Sequence, residues 1–149
     1  MNPNSPKRIL LVEDDRHDLS LAIEALEQID LGDRLDVTRD GAEALAYLFR
    51  QGEYAQRAEA NPAVVLLDLK LPKVDGIEVL EAMRKDERTH AIPVVIFTSS
   101  PHVNDILQSY EFGTNAYVVK PMDIDQFTKV LQDLGMFWSV VNEPPPQLR

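Results

Sequence analysis

Four short apolar runs each stop at a polar residue of a distinct kind. Ile9-Leu10-Leu11-Val12 ends at Glu13-Asp14, Val64-Val65-Leu66-Leu67 at Asp68, Val94-Val95-Ile96-Phe97 at Thr98, and Tyr117-Val118-Val119 at Lys120. Runs that are apolar at every position, rather than at alternate ones, suit strands buried on both faces. Between them lie segments of helical period: Ala22, Ala25, Leu26 and Ile29; Ala42, Leu45, Ala46 and Phe49; Gly76, Val79, Leu80 and Met83; and Val103, Ile106, Leu107 and Tyr110. Asp75 is placed to cap the third helix, with Glu78 completing a capping-box pattern. A less apolar strand around Leu35 to Thr38 separates the first two helices and is expected at a sheet edge. The chain therefore reads as an α/β protein, a doubly wound five-stranded parallel sheet joined by right-handed crossovers. Ligands of such sheets collect at the carboxyl ends of the strands. That rule gathers three carboxylates, a hydroxyl and an ammonium into one pocket.

The length of 149 residues suits one domain. Residues 1–6 are expected to form a flexible N-terminal tail, 7–141 the folded domain with an extended C-terminal helix, and 142–149, with Pro144-Pro145-Pro146, a flexible Pro-rich tail. The polar stretch from Gly52 to Pro62 reads as a long surface loop. With 25 acidic against 15 basic residues, the net charge of −10 opposes binding to nucleic acid or to an anionic membrane surface. The absence of cysteine excludes disulfides and thiolate chemistry. No apolar run approaches the roughly 18 residues of a membrane span, and a cytoplasmic location is expected.

If Glu13, Asp14 and Asp68 converge, charges about 4 Å apart at an effective dielectric near 20 repel by roughly 4 kcal/mol per pair. Lys120 offsets part of this, and the excess either raises a carboxyl pKa or recruits a cation. Oxygen-only ligands with room for water and phosphate favour Mg2+ over zinc. A carboxylate can also attack phosphorus to give an aspartyl phosphate, and Asp68, alone at the end of the central strand, is the best placed nucleophile. Lys120 would then pair with one phosphoryl oxygen, and the Thr98 hydroxyl would donate to another.

Together, ILLVED (9–14), VLLDLKLPKVDG (65–76), PVVIFTS (93–99) and AYVVKP (116–121) resemble the receiver domain of two-component response regulators, over residues 7 to about 134. The resemblance implies a flavodoxin-like fold of strand order 2-1-3-4-5. It makes Asp68 the acceptor of phosphate from a histidine-kinase phosphohistidine. Mg2+ would be ligated by Asp14, Asp68 and the backbone carbonyl of Lys70, with Glu13 acting through water. Thr98, Tyr117 and Lys120 would be the catalytic and switch residues, acting on the face made by the fourth helix, fifth strand and fifth helix. It also makes Lys120-Pro121 a cis bond. The acidic pair is Glu-Asp rather than the commoner Asp-Asp. Lys70 and Ser100 occupy positions that tune phosphate lifetime in the family.

The long second connection and the ending FTKVLQDLGMFWSVV (127–141) are similar to the stand-alone regulators paired with bacterial and cyanobacterial phytochromes. A homodimer is expected through Ile124, Phe127, Leu131, Leu134, Trp138 and Val141, whose spacing of 3, 4, 3, 4, 3 makes a narrow seam of the kind two helices share. The same seam also reads as ordinary core, and Gly135 would weaken a continuous helix there. Taken singly, Glu13 or Asp14 reads equally as a helix cap, Thr98 as a turn cap, Lys120 as a solvated strand end and Tyr117 as core. The expected function is signalling through changed protein contacts rather than turnover, with a histidine kinase as donor, a bacterial phytochrome by the narrower resemblance, and a phosphotransfer protein as a downstream partner. Two alternatives remain open. One is a phosphorylation-independent binding module; the other is an aspartate-nucleophile phosphohydrolase, which would want a second acid where Lys70 stands.

Overall fold

The computed structural model describes residues 7–147, so residues 1–6 and the last two of the Pro-rich tail lie outside the described residues. Strands β1 (Ile9–Val12), β2 (Leu35–Thr38), β3 (Val64–Leu67), β4 (Val94–Thr98) and β5 (Ala116–Val119) alternate with helices α1 (Arg16–Glu27), α2 (Gly41–Leu48), α3 (Gly76–Lys85), α4 (Val103–Glu111) and α5 (Ile124–Met136). All pairings are parallel, in the order β2-β1-β3-β4-β5. This is the flavodoxin-like order expected above, and β2 does occupy an edge.

Side chains alternate across each strand, so β1, β3, β4 and β5 each feed two cores. Leu10, Val12, Val65, Leu67, Val94 and Ile96 face α2 and α3. Ile9, Leu11, Val64, Leu66, Val95 and Phe97 face α1 and α5, where Ala22, Ala25, Leu26, Phe127 and Leu131 are buried. Burying each large aliphatic side chain contributes about 1.5–3 kcal/mol, and both faces must be covered for the central strands to be stable. Asp15, Asp40, Asp75 and Asp123 cap α1, α2, α3 and α5, each accepting a backbone N–H three residues on.

Two helical stripes are corrected. The buried face of α2 is Gly41, Ala44, Tyr47 and Leu48, because the Tyr47 hydroxyl donates to Asp36, which the Arg8 guanidinium grips from the other side at 2.7 and 2.8 Å. In α4 only Ser109 is fully buried. Val103 and Leu107 are 67% and 57% exposed, since α4 meets the sheet at its β5 edge, where little apolar area is available. The 52–62 loop is pinned rather than loose: Arg57 donates to the carbonyls of Tyr47, Ala58 and Ala60 at 2.9–3.1 Å and stacks on the Tyr47 ring.

The expected dimer seam divides. Phe127 and Leu131 are buried in the chain's own core, with Leu134 and Trp138 packed against it. Phe127 and Leu131 are therefore committed to the chain's own core, because α5 turns this stripe onto the sheet and α1, while Leu134 and Trp138 stay half-buried. Ile124 and Val141 remain exposed. Gly135 does not break the helix; a Cβ there would come within 2.6 Å of Leu26 Cδ2, so it is what lets α5 approach α1 closely. Beyond Met136 the chain makes a π turn, Phe137–Val141, tied down by an Arg34 hydrogen bond to the Ser139 carbonyl at 3.1 Å. Residues 143–147 have no regular structure, and Gln147 exchanges hydrogen bonds with Asn61 and Glu59 at 2.7 and 2.9 Å. The Lys120-Pro121 bond is trans, not cis; proline makes cis accessible, but trans keeps an intrinsic preference of about 0.5–1 kcal/mol.

Candidate functional site

The carboxyl ends of the strands are stitched together by their backbones. The Asp68 N–H donates to Val12 O at 3.2 Å, and the Lys120 N–H to Thr98 O at 2.7 Å. Each polar residue that ends an apolar run therefore begins where its neighbour's strand ends. Gly76 closes the floor: its N–H donates to Leu69 O at 2.8 Å, and a Cβ would lie 2.2 Å from Asp68 O. Only glycine lets the start of α3 pass so close to the Asp68 backbone.

On that rim the residues Glu13, Asp68 and Lys120 are nearly enclosed, at 2%, 8% and 9% exposure. The Lys120 ammonium makes three contacts, with Glu13 Oε1 at 2.7 Å, Asp68 Oδ2 at 2.8 Å and Asp18 Oδ2 at 2.8 Å. Asp68 Oδ1 accepts from the Leu69 N–H at 2.7 Å. Glu13 Oε2 accepts from the Asp15 N–H at 3.1 Å. Burial pushes the Glu13 carboxyl up to about 7, against the pull of the Lys120 hydrogen bond and charge and with the help of Asp68. Burial alone would lower the Lys120 pKa, but hydrogen bonds to Asp18, Asp68 and Glu13 outweigh it and raise the value.

Glu13, Asp14 and Asp68 each bring a carboxylate oxygen within 4.8 Å of the others. An all-oxygen set of this charge, with one ammonium against it, fits a hard divalent cation such as Mg2+. Thr98 is buried at the end of β4. Tyr117 is half-buried, and its hydroxyl donates to Ser100 O at 2.8 Å; burial is the main cause that raises its pKa. The Ser100 hydroxyl in turn donates to Asp105 of α4. Lys70 is exposed, with its N–H 3.4 Å from Asp68 Oδ1.

The structure thus unites Glu13, Asp14, Asp68 and Lys120, and adds one residue that the sequence reading missed. Asp18 stands three residues after the α1 cap, where an acid is favoured by the helix dipole alone. Its side chain reaches Lys120 instead, and only the spatial proximity of α1 to the end of β5 reveals this.

A model of the response regulator receiver domain matches residues 9–132. The response regulator Rcp1 of Synechocystis sp. is 40% identical over 135 residues, 91% of this chain and 90% of its own length. The Mn2+-bound form of Rcp1 superposes with a TM-score of 0.87 at 38% identity, covering 95% of this chain and all of that one. The bacteriophytochrome response regulator RtBRR is 55% identical, with a TM-score of 0.75 over 96% of this chain and 86% of that one. The phosphorylated cyanobacterial phytochrome response regulator RcpA is 37% identical, with a TM-score of 0.88 over 95% of this chain and all of that one. Among the described residues no helix is long and apolar enough to cross a membrane. A match spanning nearly the whole sheet, with relatives this similar over most of their length, makes the chain a member of the response regulator receiver domain family.

Proposed function

We propose that this chain is a single-domain response regulator that takes a phosphoryl group onto Asp68 from the phosphohistidine of a histidine kinase. The observation that carries the reading is the Lys120 ammonium at 2.8 Å from an Asp68 oxygen in a nearly enclosed rim. A carboxylate oxygen of Asp68 forms the bond to phosphorus as the nitrogen–phosphorus bond of the donor breaks. The leaving imidazole keeps the electron pair and takes a proton from solvent. Lys120 pairs with one phosphoryl oxygen, and the Thr98 hydroxyl donates to a second. Glu13, Asp14 and Asp68, joined by the Lys70 carbonyl, would hold Mg2+, with Glu13 acting through water. Bound there, the ion supplies neutralisation of the charge on the transferred group. Tyr117, through Ser100, would pass the altered site to α4 and so to protein contacts.

The relatives named as phytochrome regulators support a phytochrome-type kinase as donor. A phosphotransfer protein is the natural downstream acceptor. Self-association is supported by the apolar surface left on the C-terminal segment: Ile124, Met136, Phe137, Val140 and Val141 are exposed. The net charge of −10 supports protein partners over nucleic acid or membrane.

The test is incubation of wild type and Asp68→Asn with acetyl phosphate and Mg2+, followed by intact-mass measurement and sedimentation. A phosphate adduct on the wild type alone, with a change in association state, is expected. An unmodified wild type would point instead to a phosphorylation-independent binding module, and sustained release of phosphate from small esters to a phosphohydrolase.

A further inference from the structure

We infer that Asp18 is a positioning residue that competes with the phosphoryl group for Lys120, and so restrains phosphorylation. The inference rests on the phosphoacceptor reading of Asp68. A protonated lysine has three N–H donors, and Lys120 makes three carboxylate contacts, at 2.7 Å to Glu13 and 2.8 Å each to Asp18 and Asp68. Two of these, to Asp18 and Asp68, are hydrogen bonds, so an incoming phosphoryl oxygen competes with three carboxylates for a single ammonium.

Asp18 is the contact most readily given up. The Glu13 side chain is 2% exposed and the Asp68 side chain 10%, whereas that of Asp18 is 25% exposed and can be rehydrated when released. A partly solvated ion pair is also the weakest of the three, since water screens it. Asp18 has a second polar neighbour, the His17 ring at 3.9 Å, itself largely in solvent. Until Lys120 leaves, Asp18 withholds a donor and adds a negative charge beside the path of a phosphate dianion. After Lys120 leaves, the first turn of α1 has lost its tie to β5 through Lys120. Asp18 therefore links occupancy of Asp68 to the exposed face of α1 without touching the reacting atoms.

The test measures the rate of phosphate gain from acetyl phosphate and Mg2+ by intact mass. Removing one unit charge about 5 Å from the phosphoryl group in near-aqueous dielectric should speed Asp18→Asn by about three- to tenfold over wild type. The excess should shrink as salt is raised, because the charge removed is partly exposed. Asp18→Ser provides a second neutral variant, and Asp18→Glu, which restores the charge, should bring the rate back toward wild type. A merely structural role for Asp18 would leave the neutral variants no faster and without this salt dependence. Neutral variants that gain phosphate at the wild-type rate or more slowly, while the wild type itself is modified, overturn this inference alone. A wild type that gains no phosphate overturns the phosphoacceptor reading beneath it.

Discussion

Replacing Glu13 with glutamine should stabilise the metal-free protein above neutral pH while leaving it nearly unchanged in mild acid. The Glu13 carboxyl is 2% exposed, and burial raises its pKa from an ordinary 4.5 to about 7 despite the Lys120 contact. Between pH 4.5 and 7 the folded chain holds a proton that the unfolded chain has released. More protons on the folded state means that stability is present in full below that window and falls as pH rises through it, by about 1.4 kcal/mol per unit. Across the window this amounts to about 3 kcal/mol. Glutamine resembles the protonated acid and loses nothing over the same range. Urea unfolding with chelator at a series of pH values would show the variant's advantage growing toward about 3 kcal/mol by about pH 8. Taking the difference between variant and wild type cancels the contributions of other carboxylates, such as Asp36, whose pKa is lowered by its Arg8 and Tyr47 hydrogen bonds against the cost of burial. A difference that stays flat with pH, or that favours the wild type increasingly as pH rises, would refute the reasoning.

Other outcomes follow from the same geometry. Mg2+ should raise the thermal midpoint of the wild type, because a ligand that binds only the folded state stabilises it, and Asp14→Asn should blunt the rise in a calorimetric titration. Leu131→Ala removes a fully buried side chain between α5 and the sheet and should cost about 2–5 kcal/mol by urea unfolding. Gly135→Ala should cost about 1–3 kcal/mol through the clash with Leu26, the reverse of the gain expected from helix propensity alone.

The strands were legible because both faces of a parallel sheet must be buried, and few other contexts demand runs such as Val64 to Leu67; their order came from the resemblance to receiver domains. The site followed from the strand ends, since the rule about carboxyl ends needs no side-chain detail. What failed was the choice of face on individual helices. The spacing of Ala42, Leu45, Ala46 and Phe49 satisfies a helical period, yet the Tyr47 hydroxyl bonded to Asp36 decides which side of α2 turns inward. In α4 the apolar stripe is real but faces outward, since periodicity reports amphipathic character and not what covers it. Phe127 and Leu131 show the same ambiguity in reverse, as a stripe spaced for a partner helix is equally spaced for the chain's own sheet. Asp18 was hidden behind a sufficient local explanation, an acid in the first turn of a helix.

The central claim is that Asp68 is the residue that carries the phosphoryl group, and localisation of the modification tests it most directly. Wild type treated with acetyl phosphate and Mg2+, then reduced with borohydride to convert an acyl phosphate into an alcohol, should yield on peptide mass mapping homoserine in place of Asp68 and at no other acid of the rim. Reduction at Glu13, Asp14 or Asp18, or recovery of an intact Asp68 from protein that has gained phosphate, would contradict it.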